Sequence, residues 1–157
     1  MSSKILTISL LMLFSLGRAD AQIADSSEVT QLFKKSVECY QKEDYKTCAA
    51  YAKEALDIEP GFGRLYIIIG LSYAGSAEEC ADRLFDKSII YCLAVDYFTK
   101  AKETDERELE EANKLIELYS RYFPSYEELM TNLRSGDKYK IGCWINEETT
   151  VRFREDL

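Results

Sequence analysis

Cysteine, carboxylate and tyrosine are the side chains through which this chain could do chemistry, because it contains no histidine. That absence removes the commonest general base and metal ligand, and with them any Ser-His or Cys-His couple. The five cysteines, Cys39, Cys48, Cys80, Cys92 and Cys143, include no C-x-x-C pair, so a zinc or dithiol site is not indicated. Acids concentrate in "TDERELEEANK", where they suit a helix N-terminus and a solvated face better than a metal or an acid–base pair. Eleven tyrosines and the single Trp144 could stack on a sugar or a peptide, but most tyrosines fall where a helical core needs filling. Trp144 reads as packed on the helices. Asp96, in "AVDYF", stands among apolar neighbours and reads as a surface residue or a local salt-bridge partner. No catalytic, cofactor or metal set emerges, and the expectation is a non-enzyme without a cofactor.

Charge and the N-terminus narrow the class further. Twenty bases stand against 28 acids, a net charge of −8, and no basic cluster offsets it. A field of that sign repels nucleic acid and anionic membrane surfaces. The opening "MSSKILTISLLMLFSLGRADAQ" has a positive start at Lys4, an apolar run from Ile5 to Leu16, and small residues at Ala19 and Ala21. This is the pattern of a secretory signal peptide over residues 1–21, and the apolar run is too short for a membrane span. The expectation is export to the periplasm or beyond, where disulfides persist, with no integral membrane segment after cleavage.

Elements to position these residues follow from hydrophobic periodicity. A helix starts at Asp25-Ser26-Ser27-Glu28, a capping-box pattern, and carries Val29, Leu32, Ser36 and Tyr40 at helical spacing. A second spans about Tyr45 to Ile58 and stops at Pro60-Gly61; a third spans about Phe62 to Ala74. "GSAEECADRLFD" reads as a loop with room for one helical turn. A fourth helix covers about Leu84 to Lys102. A fifth begins at Asp105, with Glu108 completing a capping box, and ends near Tyr122. Ser125 and Glu128 open a short helix ending near Leu133. Then "KYKIGCWI" alternates, with Tyr139, Ile141, Cys143 and Ile145 on one face, and "TVRF" alternates again, which predicts a two-stranded hairpin. Alone it is marginal in water, so it must dock on the helices.

The helices repeat. Tyr66, Gly70 and Tyr73 follow Leu32, Ser36 and Cys39 by 34 residues, a spacing that resembles the tetratricopeptide repeat. Ala52, Ala55 and Pro60, then Ala94, Phe98 and Ala101, supply the small and large residues that let paired helices approach. About a dozen residues, 76–87, are inserted in the second unit, and Glu106 stands where the repeat has proline. A third, partial unit gives Ala112, Leu115, Ile116 and Tyr119. The fold expected is all-α, about two and a half right-handed helical hairpins over residues 22–134, with a β-hairpin cap over 135–157.

Four stretches, "FGRLYIIIGLSYA", "CLAVDYFTKAK", "EEANKLIELYSRYFPSYEE" and "GCWINEETTVRF", resemble a repeat-protein family of Gram-negative bacterial envelopes. The resemblance implies a tetratricopeptide-like fold, an envelope location, and a tail that closes the repeat array. It implies no biochemical activity.

Among the cysteines, a Cys80–Cys143 bridge would pin the hairpin to the helical body; the alternative is two unpaired thiols. Cys39 and Cys48 face each other across the first helical pair, as core residues or as a bridge, and Cys92 reads as a buried thiol. By repeat position the concave lining would be Lys34, Val37 and Gln41, then Ile67, Leu71 and Ala74, then Asn113 and Glu117. This lining would suit a peptide or a partner helix unless a neighbouring helix or the hairpin covers it. The function expected is an exported, non-catalytic protein-interaction module with a protein or peptide partner. The alternatives are an accessory structural subunit of an envelope complex and an enzyme with an unrecognised site.

Overall fold

Small residues decide where the helices of this chain touch. The structure, a computed structural model, describes the backbone of residues 19–128 and 132–156, with side chains from residue 28 onward except residue 128. Six α-helices are described: α1 (Ala19–Gln41), α2 (Tyr45–Ile58), α3 (Gly63–Gly75), α4 (Ala77–Cys80), α5 (Leu84–Thr104) and α6 (Leu109–Ser120). Two strands follow, β1 (Lys138–Lys140) and β2 (Glu148–Thr150). Helices α1 and α2 pack as one pair, α3 and α5 as a second, and α6 lies on α5. The all-helical body with a C-terminal hairpin is the architecture the periodicity predicts. The signal-peptide reading falls mostly on residues 1–18, which lie outside the described residues. No helix among the described residues is long and apolar enough to cross a membrane.

Local chemistry explains most boundaries. Asp44 accepts a hydrogen bond from the Thr47 N–H at 3.2 Å and starts α2. The backbone turns before it, with Glu43 at φ 60°. Pro60 and Gly61 separate α2 from α3. Helix α3 is buried nearly all round, with Leu65, Ile67, Ile68 and Ile69 inside, which is why "RLYIIIGL" has no polar face. Ala52, Ala55, Ala94, Ala101 and Ala112 are fully buried at helix crossings. Gly70 is needed where α3 meets α5, since a Cβ there would come 2.6 Å from the Phe98 ring.

Three helix ends differ from the sequence reading. Helix α1 does not start at Asp25: it is continuous from Ala19, because neither glycine nor proline interrupts that stretch. The box at Asp105 does not close on Glu108. Asp105 instead accepts from the Arg107 N–H at 3.1 Å, and Glu108 turns to Arg64 at 2.8 Å, so a 3-10 turn (Glu106–Glu108) precedes α6. The helix expected to reach Leu133 is a 3-10 turn (Tyr126–Glu128), and residues 132–134 are not helical.

The hairpin pairs antiparallel with Tyr139 opposite Thr149. Its ladder is three residues long, flanked by Ile141 N–H to Glu147 O and Val151 N–H to Asp137 O, each 2.8 Å. Alternation therefore stops earlier than "KYKIGCWI" predicts. The chain bends at Cys143 (φ 61°) and Asn146 (φ 48°), so Cys143 is exposed while Ile141 and Ile145 are buried. On the return strand the alternation outlasts the ladder, with Thr149, Val151 and Phe153 all buried.

Two apolar clusters form the core. One joins Leu32, Ala52, Ile69, Ile89 and Leu93 of the helices to Ile141, Ile145, Val151 and Phe153 of the tail. The other joins Ile67, Ala74, Val95, Phe98, Ala112 and Phe123. The hairpin is thus part of the folding core.

Candidate functional site

Disulfide and ion-pair chemistry at the hairpin is structural. Cys80, at the end of α4, and Cys143 form the disulfide considered from the sequence, with Cα atoms 5.4 Å apart. Such a bond fits an oxidising compartment. Cys39, Cys48 and Cys92 are free thiols, so Cys39 and Cys48 are not bridged. Cys48 is fully buried and accepts from the Ser72 hydroxyl at 2.9 Å.

Behind the hairpin tip lies a network absent from the sequence reading. The Glu147 carboxylate accepts from Lys53 Nζ (2.5 Å), Tyr73 OH (2.6 Å) and Tyr97 OH (2.9 Å). Burial pushes the Glu147 carboxyl up, but these three donors outweigh it and leave it below the usual glutamate range. Burial, followed by the hydrogen bond to Glu147, raises the Tyr73 phenol strongly, so it remains a donor. Trp144 packs on Tyr73 with ring centroids 5.7 Å apart, the packed role expected for it. Asp96 is not a local partner. It accepts from Thr149 Oγ1 at 2.6 Å and pairs with Arg152 at 2.7 Å, fastening α5 to the return strand. Every acid in these two sets already holds protein donors, which is how an anchor is arranged.

A second set of aromatic contacts lies at the helix ends. Tyr40, in the last turn of α1, meets Tyr45 at the start of α2, with centroids 5.7 Å apart. Tyr91 of α5 lies 5.8 Å from Tyr119 of α6 and 5.4 Å from Tyr122. Burial raises the Tyr119 phenol, and the neighbouring Tyr40, Tyr91 and Tyr122 phenols raise it further. At the end of α3, Leu71 is half-buried and packs with Tyr91 and Tyr119 against one apolar cluster. Tyr45 rests directly on Gly75, where a Cβ would come 2.5 Å from its ring. Four of these tyrosines are half-buried and Tyr122 is exposed. None of the five hydroxyls takes a hydrogen-bond partner among the described residues. The result is an aromatic patch of five tyrosines at the helix ends and on α5.

The concave lining read from the repeat is only partly accessible. Ile67 and Ala74 are buried, in one apolar cluster with Ala112 of α6, so they offer no open apolar strip. Leu71 and Val37 are half-buried, while Lys34, Gln41, Asn113 and Glu117 are exposed. Most tyrosines read from the sequence as core filling, and Tyr40, Tyr91 and Tyr119 do pack against the two apolar clusters, while Tyr122, just past the end of α6, is exposed.

Among the described residues, no group of three or more cysteines, aspartates and glutamates is placed to hold a metal ion. Comparison of the chain with protein-family models, with curated proteins and with solved structures finds no match.

Proposed function

We propose that this chain is an exported, non-catalytic protein-interaction module built from tetratricopeptide-like helical hairpins, and that its binding surface is the tyrosine patch. The observation that carries the reading is five tyrosines from α1, α2, α5 and α6 and the segment after α6, half-buried or exposed, with their hydroxyls unused. Tyrosine offers a large, rigid contact area with a polar tip, which suits recognition of another chain. The 34-residue spacing and the Gly70–Phe98 contact support the repeat reading. The Cys80–Cys143 disulfide and the leader-like opening support export to the bacterial envelope.

The test is site-specific photocrosslinking in the source cell, with a benzophenone amino acid in place of Tyr122 and, as a control, in place of the exposed Glu110. The expected result is a discrete protein adduct from position 122 that position 110 does not give. Equal adducts from both positions, or none from position 122, would overturn the reading.

The exposed Leu84 (62 %), Leu109 (45 %) and Leu118 (44 %) are what an accessory subunit, packed permanently on a larger assembly, would present. That reading requires the isolated chain to self-associate or aggregate. A monodisperse, cooperatively unfolding monomer removes it.

A further inference from the structure

Four oxidisable rings stand in contact between the disulfide and the surface. Trp144 follows Cys143 directly and is half-buried. Its ring centroid lies 5.7 Å from that of the fully buried Tyr73. Tyr73 meets Tyr97 edge-on at 5.3 Å, and Tyr97 lies 6.4 Å from Tyr66. Tyr66 is half-buried, and its hydroxyl reaches the exposed Pro60 carbonyl at 3.3 Å. Indole and phenol give up a single electron more readily than other rings, and rings in contact exchange electrons fast. A phenol yields its electron most easily when a base takes its proton in the same step. Glu147 is placed to do this for both inner tyrosines: Oε1 is 2.6 Å from the Tyr73 hydroxyl and Oε2 is 2.9 Å from the Tyr97 hydroxyl. Lys53, 2.5 Å from Oε1, helps keep that carboxylate ionised. The Trp144 Nε1–H is buried with no acceptor among the described residues, although a buried indole N–H usually finds one. An oxidised Trp144 therefore keeps its proton and remains a strong oxidant of its neighbour.

We propose that Trp144, Tyr73, Tyr97 and Tyr66 form a radical-transfer path that carries a one-electron oxidising equivalent away from the Cys80–Cys143 bridge to the protein surface. The co-reactant is an external one-electron oxidant, such as a radical formed from peroxide. The oxidant takes one electron from the Trp144 indole. Tyr73 supplies an electron to Trp144, and its phenolic proton moves to Glu147 Oε1. Tyr97 supplies the next electron; Tyr73 recovers its proton from Oε1, and the Tyr97 proton moves to Oε2. Tyr66 supplies the last electron, Tyr97 recovers its proton, and the Tyr66 proton leaves to water. In sum, Tyr66 loses one electron and one proton and the oxidant gains one electron, while Trp144, Tyr73, Tyr97 and Glu147 are restored. The path uses none of the five patch tyrosines and stands apart from the interaction reading.

Pulse radiolysis of the full chain with azide radical, which oxidises indole in preference to phenol at neutral pH, tests this. Trp144 is the single tryptophan, so the indole-radical absorption reports that residue alone. It is expected to decay as the tyrosyl absorption grows, at a rate independent of protein concentration. Tyr73→Phe should abolish this conversion, and Glu147→Gln, which keeps the side chain's size but removes the base, should slow it. Tyr66→Phe should leave the first conversion unchanged and remove the surface product, a spin-trap adduct that mass mapping places on residue 66. Circular dichroism checks the fold of each variant; should Tyr73→Phe fail to fold, Glu147→Gln and Tyr66→Phe carry the test. Conversion at the wild-type rate in Tyr73→Phe or Glu147→Gln, or a rate that rises with protein concentration, would overturn the path. Adducts on other tyrosines with none on residue 66 would overturn Tyr66 as its exit.

Discussion

Glu147, just before the return strand, accepts the Tyr73 hydroxyl at 2.6 Å across 74 residues of sequence. A carboxylate in the tail thereby fixes the orientation of a fully buried tyrosine on α3. That contact joins the Cys80–Cys143 disulfide and the Asp96–Arg152 pair in holding the hairpin to the helical body.

Replacing Glu147 with alanine is expected to cost about 2 kcal/mol, because the Tyr73 donor is left buried without its charged acceptor. Denaturant unfolding followed by Trp144 fluorescence checks the loss. The same group sets a pH dependence. The folded-state pKa of Glu147 lies below its unfolded value, so its stabilisation is complete above the ordinary glutamate range and is lost as pH falls through the lowered folded pKa. Acid unfolding of the native chain should therefore exceed that of Glu147→Ala in this window. Parallel acid titrations of the two would refute the assignment.

Serine at both Cys80 and Cys143 is expected to destabilise the chain by about 4 kcal/mol, since the bond closes a loop with a sequence separation of 63. Reductant should lower the wild-type melting temperature to the variant's and leave the variant's unchanged. An unequal end point would show that another thiol contributes.

Gly70→Ala is expected to cost about 1–3 kcal/mol, because the new Cβ meets a Phe98 ring that is itself fully buried. Adding Phe98→Leu should return part of that loss, giving a non-additive pair in a thermodynamic cycle. Simple additivity would mean that the helices part without touching at this point.

The Cys92 thiol should resist alkylation in the folded state. Burial pushes it up to about 11, and its sulfur lies 3.7 Å from the Arg152 carbonyl inside the tail contact. Mass mapping after timed alkylation should find the half-buried Cys39 modified first, and Cys92 and Cys48 modified only with denaturant. Early labelling of Cys92 would place the return strand off α5.

Local signals were readable where neighbouring residues alone set the conformation. Asp44 and Pro60 bracket α2 because a side-chain cap and a missing N–H act within a few residues. The capping boxes at Asp25 and Asp105 were misleading for the opposite reason. A box is a possibility of the sequence, and Glu108 had a better partner in Arg64, brought near only by folding. "KYKIGCWI" carried strand alternation, but the ladder ends at Lys140 and the chain bends at Cys143 (φ 61°), which no local pattern announces.

The sequence by itself determined the helical body, the places where helices cross on alanine and glycine, and the class of residues a site could use, since periodicity and composition are properties of the chain alone. Tertiary structure decided which ring or carboxylate each tyrosine met, and which acids became anchors. Tyr73 and Tyr119 are the same residue at similar helical spacing. Tyr73 meets Glu147, while Tyr119 meets the Phe98 and Tyr91 rings, because a side chain's partner depends on what folding brings across from it.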